Sequence, residues 1–280
     1  MPETVKVAER SSVSPSAACK SRGDTEYVAI LRTFYALTMV LALVAGLGVE
    51  RSGVYEPTIP DWQLAVAVGL GMSLTAVQFV WKVVRYACTY LHELAHAIAA
   101  VLMGGNVQSI TYQPDASGLA RFSLPMEFGQ ARLMIAAGAG YTGPGVAGIA
   151  TVAAVVGGAE EYWLLAAAIF AGAGMLLLVR SLWGALYSAG LAAMLLFLVI
   201  RLEGQWIAWA AGIWAGVLLA GGVRGALIQV RERNLTNTDA GQIGGILHVP
   251  ARLVAKFQYA LAWVLLLCGC WIALRGSVSI

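Results

Sequence analysis

Charge is what this chain has least of. Asp, Glu, Lys and Arg together make up 12% of its 280 residues, against 59% hydrophobic residues, and the mean hydropathy is +0.75. Soluble domains carry about twice that charge, so a soluble globular protein is excluded. Cysteine is scarce as well. The four present (Cys19, Cys88, Cys268, Cys270) contain no CxxC pair and form no disulfide framework. No cluster of basic residues is interleaved with aromatics, which argues against a nucleic-acid groove, and the net charge of +3 is small. Residues 1–25 lack the apolar core of a signal peptide and read as part of a disordered polar tail, 1–27. Short alternating segments of the kind that build a membrane β-barrel do not recur along the chain.

What fills the chain is long apolar blocks. Spans are predicted at about 28–49, 62–81, 131–156, 162–179, 182–200, 204–223 and 257–274, several near the roughly 20 residues that cross a bilayer as a helix. A further apolar helix over about 85–103 continues the 62–81 segment or breaks from it near Lys82 and Arg85. The expected fold is therefore an all-α polytopic membrane protein of about seven to eight apolar helical segments, with residues 28–280 as one membrane-embedded domain. Lys6, Arg10, Lys20, Arg22 and Arg32 precede or open the first span. Arg224, Arg231, Arg233, Arg252 and Lys256 mark a long polar loop over 224–256. Basic residues collect in cytoplasmic loops, so both regions are assigned to the cytoplasm. The acidic segments 50–61 and 157–161 are assigned to the far side. These assignments agree only if residues 85–127 enter and leave on the cytoplasmic side.

Within this apolar background, 104–127 stands apart. Gly104-Gly105-Asn106 stops a helix. Residues 107–112 and 119–124 alternate in the manner of strands around the turn Pro114-Asp115-Ala116-Ser117-Gly118. A β-hairpin is expected there, with an exposed edge able to pair with an extended peptide.

Two of only three histidines lie in His92-Glu93-Leu94-Ala95-His96. On a helix, positions i and i+4 share a face, so both imidazoles can hold one metal ion. Glu93 can then take a proton from a water held at that ion. Catalytic zinc normally uses three protein ligands and leaves one position open. Candidates for the third are Asp239, His248, Asp115 and Glu127, with Asp239 favoured by its place in the polar patch 234–238, before a helix-like stretch 240–247 that Thr238 can cap. Cys88, four residues before His92, is a minor candidate, and Cys268 and Cys270 are read as packing residues.

These segments carry a resemblance. His92 to Ala97 on an apolar helix ending in Met103-Gly104-Gly105, the hairpin Ile110 to Arg121, the run Ala137-Gly138-Ala139-Gly140-Tyr141-Thr142-Gly143-Pro144, and Thr238-Asp239-Ala240 resemble the site-2 protease superfamily of intramembrane zinc metalloproteases, in its compact M50B-like branch. The resemblance covers 85–145 strongly and 224–256 weakly. It implies zinc (Zn2+) held by His92, His96 and Asp239, Glu93 as general base, and a transmembrane or membrane-associated protein as substrate within the lipid bilayer. In many members the third ligand lies in an Asp-Gly turn, whereas Ala240 follows Asp239 here. The glycines at 138, 140, 143, 145 and 148 are read as helix packing in preference to a broken helix beside the site. Two other readings of the His/Glu cluster stand beside the hydrolase. One is a metal-binding membrane protein without proteolysis, and the other is an ion or proton transporter.

Overall fold

The computed structural model describes residues 58–125 and 129–275. The tail 1–27, the span 28–49 and the candidate ligand Glu127 lie outside the described residues. Two helices open the described chain, α1 (Asp61–Ala76) and α2 (Gln78–Leu102), followed by the strands β1 (Asn106–Tyr112) and β2 (Gly118–Ser123). Then come α3 (Gly129–Ala139), a 3-10 turn (Gly140–Thr142) and α4 (Gly143–Val156). The remainder is α5 (Glu160–Leu177), α6 (Leu182–Arg201), α7 (Gln205–Arg231), α8 (Asp239–Leu247) and α9 (Ala251–Arg275).

Among the described residues fewer spans are found than the seven to eight segments expected, of which 28–49 lies outside them. Four helical segments among the described residues are long and apolar enough to cross a membrane: Gly129–Val156, Leu182–Arg201, Gln205–Arg231 and Ala251–Arg275. A fifth is reached only if α1 and α2 are counted as one broken span, because their axes bend by 106°. The expected 62–81 span is thus interrupted at Val77, whose backbone is extended (φ −72°, ψ 119°), earlier than Lys82. The expected 162–179 span is α5. It has 18 residues and starts with Glu160 and Glu161, which leaves its apolar stretch short of the usual crossing length. The polar loop expected over 224–256 is mostly helix: α7 runs on to Arg231, α8 lies inside it and α9 begins at Ala251. Apolar content revealed where helices lie, but not where one ends by bending.

The main core joins α1, α4, α5, α6, α7 and α9 around Leu64, Val152, Leu164, Leu195, Ala211, Leu219 and Leu266. Along the α1–α7 seam the backbones nearly touch. A Cβ on Gly71 would fall on the carbonyl of Ile213, and one on Gly216 on the carbonyl of Val68. Small residues permit this approach, and packing of that closeness is what associates helices where no hydrophobic drive separates them from lipid.

The hairpin forms as its alternation predicts, antiparallel with Ile110 opposite Ala120 and Tyr112 opposite Gly118, and with an irregularity between Val107 and Ser109. Ahead of it, α2 stops by the glycine mechanism. Gly104 takes φ 79°, its N–H donates to Val101 (2.9 Å), and the Gly105 N–H donates to Ala100 (2.8 Å). That bond pair is a Schellman closure. β1 is the middle line of the small sheet, because its far edge is also occupied. Ile110 donates to the Leu178 carbonyl (2.9 Å) and accepts from Arg180 N–H (3.0 Å). The tip is tied down by three hydroxyls: Tyr86 to the Pro114 carbonyl (2.9 Å), Thr89 to Ala116 (3.0 Å) and Tyr187 to Gln113 (3.5 Å).

The α1–α7 contact yields a direct test. Gly216→Ala is expected to lower stability by ~1–3 kcal/mol or more through overpacking, read as a lower melting temperature in detergent. Gly69→Ala, whose Cβ would meet nothing within 4 Å, is expected to leave it unchanged. Equal melting temperatures for both variants would contradict the packing described.

Candidate metal centre

One helix carries two of the donors. His92 and His96 lie on the same face of α2, their rings edge to face with centroids 4.6 Å apart, and their Nε2 atoms are 3.0 Å apart. Asp239 arrives from the other end of the sequence as the first residue of α8. Its position is set by local chemistry. Thr238 is the N-cap, accepting from the Gly241 N–H at 3.3 Å and donating to the Leu235 carbonyl at 2.8 Å. Behind α8, Ala240 and Ile243 pack with Ala137, Leu235, Val254 and Ala255. The Asp239 Oδ2 then lies 3.2 Å from His92 Nε2 and 3.3 Å from His96 Nε2.

Three donor atoms at mutual separations of 3.0, 3.2 and 3.3 Å form a nearly equilateral face. Nitrogen and oxygen ligands at the usual zinc bond lengths, placed at the corners of a tetrahedron, stand about 3.3 Å apart. The donor set and its spacing therefore fit a tetrahedral ion with its fourth corner left for a water or substrate. Space is kept as well. A Cβ on Gly140 would fall on His96 Nε2 and within 2.6 Å of His92 Cε1, so any larger residue in the 3-10 turn would fill the place where the imidazoles converge.

His96 is nearly enclosed, and its ring is held from behind: Nδ1 lies 2.7 Å from the Ala136 carbonyl of α3. A carbonyl only accepts, so Nδ1 donates this bond and Nε2 is the ring atom turned toward the site. His92 packs edge-on against Tyr141, with centroids 4.5 Å apart. Burial raises the Asp239 carboxyl, but the neighbouring His96 and His92 imidazoles outweigh it and hold the group well below the usual carboxylate range.

Glu93, next to His92 and also buried, interacts electrostatically with His92, His96 and Asp239 and accepts a hydrogen bond from the Ala120 backbone. The hairpin explains that bond. Since Ile110 spends its N–H and carbonyl on the 178–180 segment, it and Ala120 form a non-hydrogen-bonded pair, and Ala120 directs its own groups off the outer edge of β2. Gly118 completes the fit, because a Cβ there would come within 2.6 Å of Glu93 Cγ.

The other sequence candidates lie elsewhere. His248 is exposed at the C-terminal cap of α8, in the left-handed region (φ 54°). It is nine positions from Asp239, about 13 Å along the helix. Asp115 is exposed in the hairpin turn, where the Ser117 hydroxyl (2.7 Å) and N–H (2.9 Å) occupy its carboxylate and hold its pKa down. Cys88 is buried against Gly221 of α7, where a Cβ would meet its sulfur. The glycine run divides between the two roles weighed for it. Gly145 and Gly148 pack against Leu265 and Leu219, whereas Gly140 borders the histidines and Gly143 the α2 backbone at Leu91. The contributions of Gly140, Ala136, Gly118 and Ala120 had no signal in the sequence beyond their presence in the glycine run and the hairpin, because all four act through backbone atoms or through having no side chain.

A family model described as Peptidase M50B-like matches residues 64–274. No curated protein and no solved structure matches the chain. The matched region runs from within α1 almost to the end of α9, so it takes in the motif helix, the hairpin and the segment that brings Asp239 back to the histidines. By that match the chain belongs to the M50B-like peptidases of the site-2 protease superfamily.

Proposed function

We propose that this protein is a multi-pass zinc endopeptidase that cuts membrane-protein substrates in or at the edge of the bilayer. The observation that carries the reading is the triangle of His92, His96 and Asp239 donors with Glu93 beside it, roofed by a hairpin edge. His92, His96 and Asp239 would hold the ion. Zinc bound there supplies Lewis acidity, acidifying a water and polarising a peptide carbonyl.

The chain's own residues do the rest. Ala136 fixes the His96 tautomer, so that its ring meets the ion as a neutral ligand. Glu93, held toward the site by the Ala120 N–H, takes the proton of the attacking water and passes it to the leaving amine. A helical substrate hides its carbonyls in its own hydrogen bonds, so it must be drawn out before cleavage. The outer edge of β2, where Ala120 turns its groups away from β1, offers main-chain partners to an extended segment. Tyr86, Thr89 and Tyr187 keep that edge in place through the hairpin tip. Arg231, Arg233, Arg252 and Lys256 around α8 support a cytoplasmic location for the active-site end and the hairpin tip.

Three outcomes are expected. Glu93→Gln retains about one zinc per chain but loses at least ~100-fold in cleavage rate, the usual scale for a removed general base; full activity in that variant would end the proposal. Gly140→Ala lowers zinc content in the purified protein, while Gly138→Ala, whose Cβ would meet nothing within 4 Å, keeps it. Metal analysis of both variants decides whether the turn is a cradle for the ion. A cysteine placed at Asp115 is labelled by a membrane-impermeant reagent from the cytoplasmic side only, and labelling from the opposite side would reverse the topology.

A further inference from the structure

The bend between α1 and α2 occurs in apolar surroundings, where broken helical bonds leave backbone groups that lipid cannot satisfy. Most of the carbonyls around it find partners locally. Met72 accepts from the Thr75 hydroxyl (2.7 Å), Leu74 from the Val77 N–H (3.1 Å) and Val77 from the Trp81 N–H (2.9 Å). The Thr75 carbonyl is different, because its partner comes from another helix. Arg224 of α7 donates to it through Nη1 and to the Gln78 side chain through Nη2 at 2.6 Å. The guanidinium also lies over the ring of Trp81, 4.7 Å from its centroid, and Trp81 is buried. One side chain therefore holds the last turn of α1, the first residue of α2 and an aromatic one turn further on.

No carboxylate among the described residues forms an ion pair with Arg224. An arginine in an apolar bundle is costly unless its donors are used, and here they are spent on the joint itself. A lysine could not span these partners, since the grip depends on a planar fork with one face on an aromatic ring. The same α7 continues through residues 232–238 into α8 and Asp239. The helix that clamps the joint is thus also the one that delivers the third donor.

We infer that Arg224 is a positioning residue for the metal centre, setting the α1–α2 bend that aims His92 and His96 at Asp239. The inference rests on the metal reading above. The leverage is large. His96 lies 18 residues beyond Gln78, roughly 27 Å along α2, so a change of about 5° at the joint moves it by roughly 2 Å. Metal ligation tolerates only about 0.2 Å.

The test uses the full-length chain in nanodiscs with its four cysteines replaced by alanine. Spin labels are placed at Trp62 and Leu102, both exposed. With the observed bend these positions stand roughly 36 Å apart, against roughly 60 Å for a straight rod. In Arg224→Leu the label distance is expected to lengthen and broaden, and zinc affinity to fall at least 10-fold. Gln78→Ala, which leaves the arginine charge and fold intact, is expected to shift both in the same direction by less. Distances identical to wild type in both variants would overturn the inference. A lengthened distance with unchanged zinc affinity would also overturn it, leaving Arg224 as a structural tie only. If the wild-type chain binds no zinc, the metal reading fails and the positioning role falls with it, while the label distances still report whether Arg224 holds the bend.

Discussion

Two imidazole nitrogens and a carboxylate oxygen meet within 3.3 Å of one another in a predominantly apolar bundle. Such groups repel unless a proton or a cation lies among them, and desolvation makes the repulsion stronger than in water. Everything nearby is arranged around that constraint. Ala136 orients one ring and Thr238 caps the helix that presents the carboxylate. Gly140 leaves the space open. With a cation at the convergence point the three groups form a ligand set with one corner free.

The hairpin is the second organising element, and its placement follows from hydrogen-bond accounting. Extended backbone near a membrane needs partners on both edges. One edge of β1 is used by β2 and the other by the 178–180 segment. Among the described residues only the outer edge of β2 is left over, and it faces Glu93 through Ala120. The strand edge left open among the described residues is therefore the edge beside Glu93.

The helical frame does the aiming. Glycines along the α1–α7 seam bring two backbones into contact, and that contact carries Arg224 to the α1–α2 joint. The third donor depends on the same frame, since α8 reaches the site only because its apolar face packs on α3 and α9 through Ala137, Val254 and Ala255.

By itself the sequence determined the apolar helical class, the hairpin with its turn and glycine stop, and the pair of histidines with Glu93, because each of these rests on spacing along one local segment. Asp239 stood out among four candidates by its capping context, yet nothing local could bring it to histidines nearly 150 positions away. That took the packing of α8. A break was weighed near Lys82 and Arg85, but its place at Val77 was not legible, since apolar residues lie on both sides of it and the bend is held from outside by Arg224, a residue that reads in sequence as one more basic group of a loop. Gly140 and Ala120 act through a missing side chain and a backbone N–H, which leave no chemical signature in a one-letter string. Only the tertiary structure decided where those groups point.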